Sequence, residues 1–115
     1  DSGVYFNNGS ANAGAVTYDH SNNELKFRIN SNKSVEINSA GTVLPGADNT
    51  QDLGSSTARW ANVYTGDMHL NNMNTGGNEV DGSEGHWTMQ EGADDLFLIN
   101  RNTGKKYKFN LTEVS

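Results

Sequence analysis

Cysteine is absent from the 115 residues, and proline occurs once, at Pro45. The first absence excludes disulfides, thiolate catalysis and Cys-ligated zinc, and with them a small secreted domain held by bridges. Large apolar side chains are scarce as well. Leu, Ile, Val and Phe number 21, below the roughly one-fifth of the chain at which a charged sequence falls under suspicion of disorder. No apolar run approaches the roughly 20 residues of a membrane span, and no basic-then-apolar leader stands at the N-terminus, so membrane insertion is not expected. Basic residues are the minority charge, 8 Lys and Arg against 14 Asp and Glu, for a formal net charge of −6. That balance argues against nucleic acid as a partner, because phosphate binding needs clustered Lys and Arg. One chain of this composition has little from which to build a conventional core, and burial shared between copies is the expectation. The start at Asp1 rather than Met fits the C-terminal piece of a longer chain.

What the sequence has in abundance is turn chemistry, with 17 Asn and 13 Gly. Clusters of Asn, Gly, Ser and Asp recur about every eight to twelve residues, the spacing of an all-β meander. They fall at Asn7 to Ser10, Ser21 to Asn23, Asn30 to Lys33, Ser39 to Gly41 and Gly46 to Asn49. Strands are predicted between them at Gly3 to Phe6, Ala13 to His20, Glu24 to Asn30, Ser34 to Asn38 and Thr42 to Leu44. Leu25, Phe27 and Ile29 alternate with Glu24, Lys26 and Arg28, so one face is apolar and the other wet.

The texture changes at Pro45, which divides the chain into a small β unit (residues 1–45) and a β-rich second unit (residues 46–115). In the second unit Ser55 or Ser56 is placed to cap one helical turn through Trp60. Asn62 to Tyr64 should then be extended, Gly66 to Leu70 a strand, and Asn71 to Gly85 a long loop or projecting hairpin. His86 to Gln90 alternates as a strand, and Leu96 to Asn100 is apolar on both faces. Asn102-Thr103-Gly104 supplies a turn with Gly104 left-handed, and Lys105 to Leu111 returns as its partner with Tyr107, Phe109 and Leu111 on one face. No Lys or Arg occurs between Arg59 and Arg101, a stretch rich in acids, whereas Arg101, Lys105, Lys106 and Lys108 follow at once. The basic return strand is expected beside acidic neighbours, where charge sets register and protects an edge.

Little points to catalysis. His20, His69 and His86 are scattered, with no partner at metal-ligand spacing; three copies of one of them on a threefold axis would be needed to hold a metal or an anion. Asp81-Gly82-Ser83-Glu84 and Asp48-Asn49-Thr50-Gln51-Asp52 resemble calcium loops in oxygen content but not in spacing, and Asx-turns explain them more simply. Asp94 and Asp95 are adjacent, so on a strand they point to opposite faces rather than at each other. No nucleophile elbow, phosphate loop or dinucleotide fingerprint appears. No catalytic residue, metal or cofactor is therefore expected.

The segment Asp52-Leu53-Gly54-Ser55-Ser56-Thr57-Ala58-Arg59-Trp60-Ala61-Asn62-Val63-Tyr64-Thr65-Gly66-Asp67 resembles an element of tail-fibre and other virion structural proteins of tailed bacteriophages, marine cyanophages in particular. The blocks Gly85 to Gly92, Leu96 to Asn100 and Gly104 to Phe109 are similar to the terminal block that follows it in those proteins. Upstream, Ala15 to His20, Leu25-Lys26-Phe27 and Val35 to Gly41 resemble a strand repeat of phage fibres. The resemblance implies a homotrimeric fibre end, made in the host bacterial cytoplasm and carried on the virion, whose exposed surface meets a host surface glycan or protein. It also implies attachment to an upstream fibre segment of the same chain or to another tail protein.

The combined expectation is an all-β fold of short-strand meanders and hairpins about a threefold axis, an intertwined homotrimer, with at most one helical turn near residues 55–60. It is a structural and adhesion module and not an enzyme. Leu53, Trp60, Val63 and Tyr64 should pack the junction between the units, and Leu96, Leu98, Tyr107 and Phe109 the tip, while His86 and Trp87 are the candidate receptor contacts. The alternatives are a monomeric carbohydrate-binding domain built on Trp87 and the Asn71 to Gly85 loop, or a tailspike-type glycan-degrading enzyme. Trp60→Ala should cost about 3 kcal/mol or more in chemical denaturation, as emptying a buried aromatic site does; a change under about 0.5 kcal/mol, the range of a surface substitution, would mean the ring is exposed.

Overall fold

The computed structural model describes residues 2–6, 13–30 and 33–115. The described residues are all-β, with antiparallel strands in two sheets and no helix. The first sheet contains β1 (Ser2–Phe6), β2 (Gly14–Asp19), β3 (Glu24–Ile29), β4 (Lys33–Ile37) and β5 (Val43–Pro45) in chain order. The second contains β6 (Met68–Asn71), β7 (His86–Glu91), β8 (Leu96–Asn100) and β9 (Lys106–Lys108), again in chain order. Each is a meander in which every strand pairs with its neighbour in sequence, as turn signals at short intervals require. The chain forms two compact units, Asp1–Arg59 and Trp60–Ser115. Pro45 closes the first sheet. The segment after it hydrogen-bonds back onto β4, since Gly46 N–H and Gln51 Nε2 both donate to the Ser34 carbonyl, at 2.8 and 3.0 Å.

Asparagine makes the turns. Asn23 and Asn30 hold φ of 56° and 50°, and Asn49 and Asn74 are left-handed as well, a conformation Asn tolerates better than other side chains. In the β2–β3 turn Asp19 Oδ1 accepts from Ser21 N–H at 2.9 Å and Ser21 Oγ at 2.6 Å, and the Ser21 hydroxyl and amide hold that carboxyl below its usual range. In the β4–β5 turn Asn38 Oδ1 accepts from the Ala40 and Thr42 amides. Gly104 is left-handed, φ 76°, and its N–H donates to Asn100 O at 2.7 Å, closing the β8–β9 turn where the sequence placed it. The turn cluster at Asn7 to Ser10 lies outside the described residues, as do residues 31 and 32 of the cluster at Asn30 to Lys33.

Three local expectations change. Residues 55–58 form a closed turn and not a helical one. Ser55 Oγ accepts the Ala58 N–H at 3.0 Å as a cap would, but Ser55 N–H also donates forward to Ala58 O at 3.0 Å, whereas a helical N–H points back along the chain. Asn62 to Tyr64 pair with no strand. β9 is three residues long because its partner β8 begins at Leu96; one further bond, Phe109 N–H to Leu96 O at 3.0 Å, uses the last backbone group on offer. Asn23→Gly should change stability by less than about 0.5 kcal/mol, and Asn23→Val should cost about 1–2 kcal/mol for forcing a β-branched residue into the left-handed region. Chemical denaturation of the two variants checks this, and equal stability would refute it.

Candidate functional site

Sheet register sorts the side chains of the first unit into two unlike faces. Val4, Val16, Phe27, Val35 and Pro45 stand in one row across the sheet, and Tyr18, Leu25, Ile37 and Val43 in the next. All lie on the same side. The reverse side carries the row Thr17, Lys26, Glu36 and Leu44, with Lys26 Nζ 3.5 Å from Glu36 Oε1. Among the described residues nothing covers the apolar side: Val4, Phe6, Phe27, Ile29, Val35 and Val43 are all exposed. It is also hollowed. Gly14 stands between Phe6 and Ile29, and the missing side chain leaves a depression of about 490 Å³ walled by Phe6, Val16, Phe27 and Ile29.

The second unit repeats the division. Met68, Met89, Leu98 and Tyr107 form one row, with Leu70, Trp87, Leu96 and Phe109 on the same side by strand alternation. Trp87 and Tyr107 lie 5.8 Å apart between ring centroids, tilted 42°. Met68, Leu70, Leu96 and Tyr107 are exposed, while Trp87, Met89, Leu98 and Phe109 are half-buried. The tip residues named from the sequence are thus brought together on one uncovered face. The junction residues are not packed within the chain: Leu53 is 81%, Trp60 66%, Val63 65% and Tyr64 93% exposed.

His86 and Trp87 are neighbours on β7 and therefore point to opposite sides. Trp87 lines a cleft of about 470 Å³ with Leu70, Asn72, Asn78, Ser83 and Glu84. The loop that closes this cleft, residues 72–85, is ordered by its own side chains. Asn78 Oδ1 accepts from the Val80 and Asp81 amides, and Asn78 Nδ2 donates to Asp81 Oδ1 at 2.9 Å and to Ser83 O at 3.0 Å. Asp81 Oδ1 accepts from Ser83 Oγ and N–H at 2.7 and 3.0 Å. The Ser83 hydroxyl, then its amide, then the Asn78 side chain lower the Asp81 carboxyl to about 2. Gly77, φ +96°, passes so close to the Gly82 carbonyl that no Cβ fits. Asp81 to Glu84 is thus an Asx-turn network, and among the described residues no three His, Asp or Glu side chains gather as a metal would need.

Sequence reasoning missed the polar side of the second sheet. Thr88 is fully buried, 0% exposed. Arg101 Nε donates to its Oγ1 at 2.9 Å, and His69 Nδ1 lies 3.0 Å from the same oxygen. A hydroxyl between an imidazole and a guanidinium has the neighbours of an activated nucleophile, but full burial closes it to substrate. The trio clamps β6, β7 and the end of β8 together. His69, Thr88 and Arg101 are 13 to 19 residues apart in pairs that only the register joins; the signal available was the alternation that sets His86, Thr88 and Gln90 on one face. The basic return strand has acidic neighbours at one end, where Asp94, Asp95 and Glu113 line a depression with Lys108, but they form no ion pair with it. Among the described residues the ion pair is Lys26 with Glu36, and Arg101, Lys105, Lys106 and Lys108 have none. The reason is that the acids serve the turns: Glu84 Oε2 accepts the Gly76 amide, Asp81 caps its own loop, and Asp94 and Asp95 sit in the tight β7–β8 turn.

Compared with known proteins, the chain matches no family model, no curated protein and no solved structure. Thr88→Val keeps the shape and removes the shared oxygen, so it should cost about 1–2 kcal/mol in denaturation, the usual loss when a buried hydrogen-bonding group disappears; a loss under about 0.3 kcal/mol would show that the clamp contributes nothing.

Proposed function

We propose that the chain is a non-enzymatic structural and adhesion module of a phage tail fibre, in which three copies share their apolar sheet faces about a common axis. The observation that carries this reading is the lack of a covered core. Among the described residues Ala15 is the one buried hydrophobic side chain, and the other buried residues are Ser34 and Thr88. The chain exposes 9460 Å², where surface scaling gives about 6,200 Å² for a folded chain of this mass and about 7,400 Å² even for two independent halves. Apolar faces of this extent mark an interaction surface.

The number three comes from the resemblance to tail fibres, and a threefold axis suits the faces. Each copy contributes a sparse strand set, and the three together enclose what one leaves wet. Leu53, Trp60, Val63 and Tyr64 then gain partners from neighbouring copies, and the fibre end turns its polar faces toward the host surface. The cleft beside Trp87 favours the second reading, a carbohydrate-binding module that acts as a single chain.

Concentration-dependent melting separates the two. The fibre reading expects a melting temperature that rises with protein concentration, because association is linked to folding. Phe27→Asp on the apolar face should abolish the folded particle, whereas Thr17→Asp, opposite Lys26 on the reverse face, should leave it intact. A melting temperature independent of concentration, with Phe27→Asp still folded, would overturn the reading.

A further inference from the structure

The polar face of the second sheet carries a group of cations that form no ion pair among the described residues. Arg101, Lys106 and Lys108 share this face with His69 and His86, in a chain whose net charge is −6. None of the three fixed cations forms a salt bridge among the described residues. Asp67, which reaches this side, accepts a hydrogen bond from Gln90 Nε2 at 3.1 Å, and Asp94, Asp95 and Glu113 line a depression with Lys108 at the far end of the row without forming an ion pair.

Arg101 is held in place there. Its Nε is fixed on the buried Thr88 hydroxyl, and neither Nη group makes a hydrogen bond among the described residues. A guanidinium pinned at Nε presents its remaining N–H groups as a fork, the geometry that carboxylate and phosphate accept, and little side-chain freedom is left to lose on binding. Lys106 lies opposite Ile99 and so diagonal to Arg101, about 7–8 Å away by sheet geometry. Lys108 continues the row. A line of separated cations suits a chain of separated anions rather than one small ion.

We propose that this face binds an acidic polysaccharide, with Arg101 taking a carboxylate or phosphate group through its fork and Lys106 and Lys108 taking the next ones along. Nucleic acid fits less well. Trp87 and Tyr107 are on the opposite face, and Phe97, the aromatic residue opposite Lys108 on this one, is half-buried, which leaves little ring surface on which successive bases could stack. The inference rests on the fibre reading in one respect, that sharing the apolar face leaves this one outward. Particle mass measured on the same samples keeps the two apart, since a single-chain particle that binds the polymer would sink the trimer and spare this site.

The test is titration of the intact chain with polygalacturonate, a phosphate-bearing mannan, neutral dextran and oligo-dT at low and physiological salt. Polygalacturonate or the phosphomannan should bind, with affinity falling about tenfold or more as salt rises. The tighter of the two identifies the anion. Lys106→Gln with Lys108→Gln leaves the Thr88 clamp intact and should weaken binding about tenfold or more. Arg101→Lys keeps the charge, loses the fork and should weaken it severalfold. Failure of both acidic polymers to bind, dextran bound equally well, oligo-dT bound as tightly, or a folded double variant with unchanged affinity would each overturn the proposal.

Discussion

A sheet with one apolar face must put something over it, and among the described residues nothing within either unit does so. An antiparallel meander satisfies its backbone hydrogen bonds strand by strand and so reaches a definite register with few long-range contacts. The register then fixes which side chains face one way; in the first sheet it collects nearly all the large apolar ones, and in the second most of them, with Phe97 and Ile99 on the other side. Five strands place Val16, Phe27 and Val35 in one row, and four strands place Met89, Leu98 and Tyr107 in another. Hydrogen bonding and turn chemistry can specify these sheets, but isolated sheets of this kind gain stability only when the apolar side packs on a second layer. The proposed association of copies answers to that side.

The two faces divide the work. The apolar side, with its hollow at Gly14, suits an interlocking neighbour. The reverse side joins polar groups within the chain: Lys26 pairs with Glu36 across β3 and β4, and Thr88 joins His69 to Arg101 across β6, β7 and β8, although Arg28 Nε is buried there without a hydrogen-bond partner among the described residues. Loop 72–85 does the same, with Asn78 and Asp81 satisfying its amides. A chain poor in hydrophobic residues and rich in Asn has spent its polar side chains on turns and clamps.

Much of this was legible before any coordinates. The alternation of Leu25, Phe27 and Ile29 placed β3 and its faces, because period-two patterning survives wherever one side is to be buried. Asn and Gly clusters marked the turns, and Gly104 was predicted left-handed and is. Less legible were features that depend on residues far apart in sequence. Trp60 and Tyr64 look like core residues, yet they stand exposed in the single chain, because composition and spacing do not show whether an aromatic side chain has a neighbour within its own chain. Thr88 looked like one polar position in an alternating strand, and its role appears only when Arg101 returns beside it. The acids between Arg59 and Arg101 suggested acidic neighbours for the basic strand, and Asp94 and Asp95 do lie near Lys108, but Asp81 and Glu84 serve backbone amides of their own loop instead.

The most direct test of the account is the mass of the particle in dilute solution, measured by light scattering on the intact chain. The account predicts three chains per particle, with no compact single chain at equilibrium beside it. A cooperative, folded particle of one chain would contradict it, for it would mean that uncovered faces of this size are stable in water without a partner.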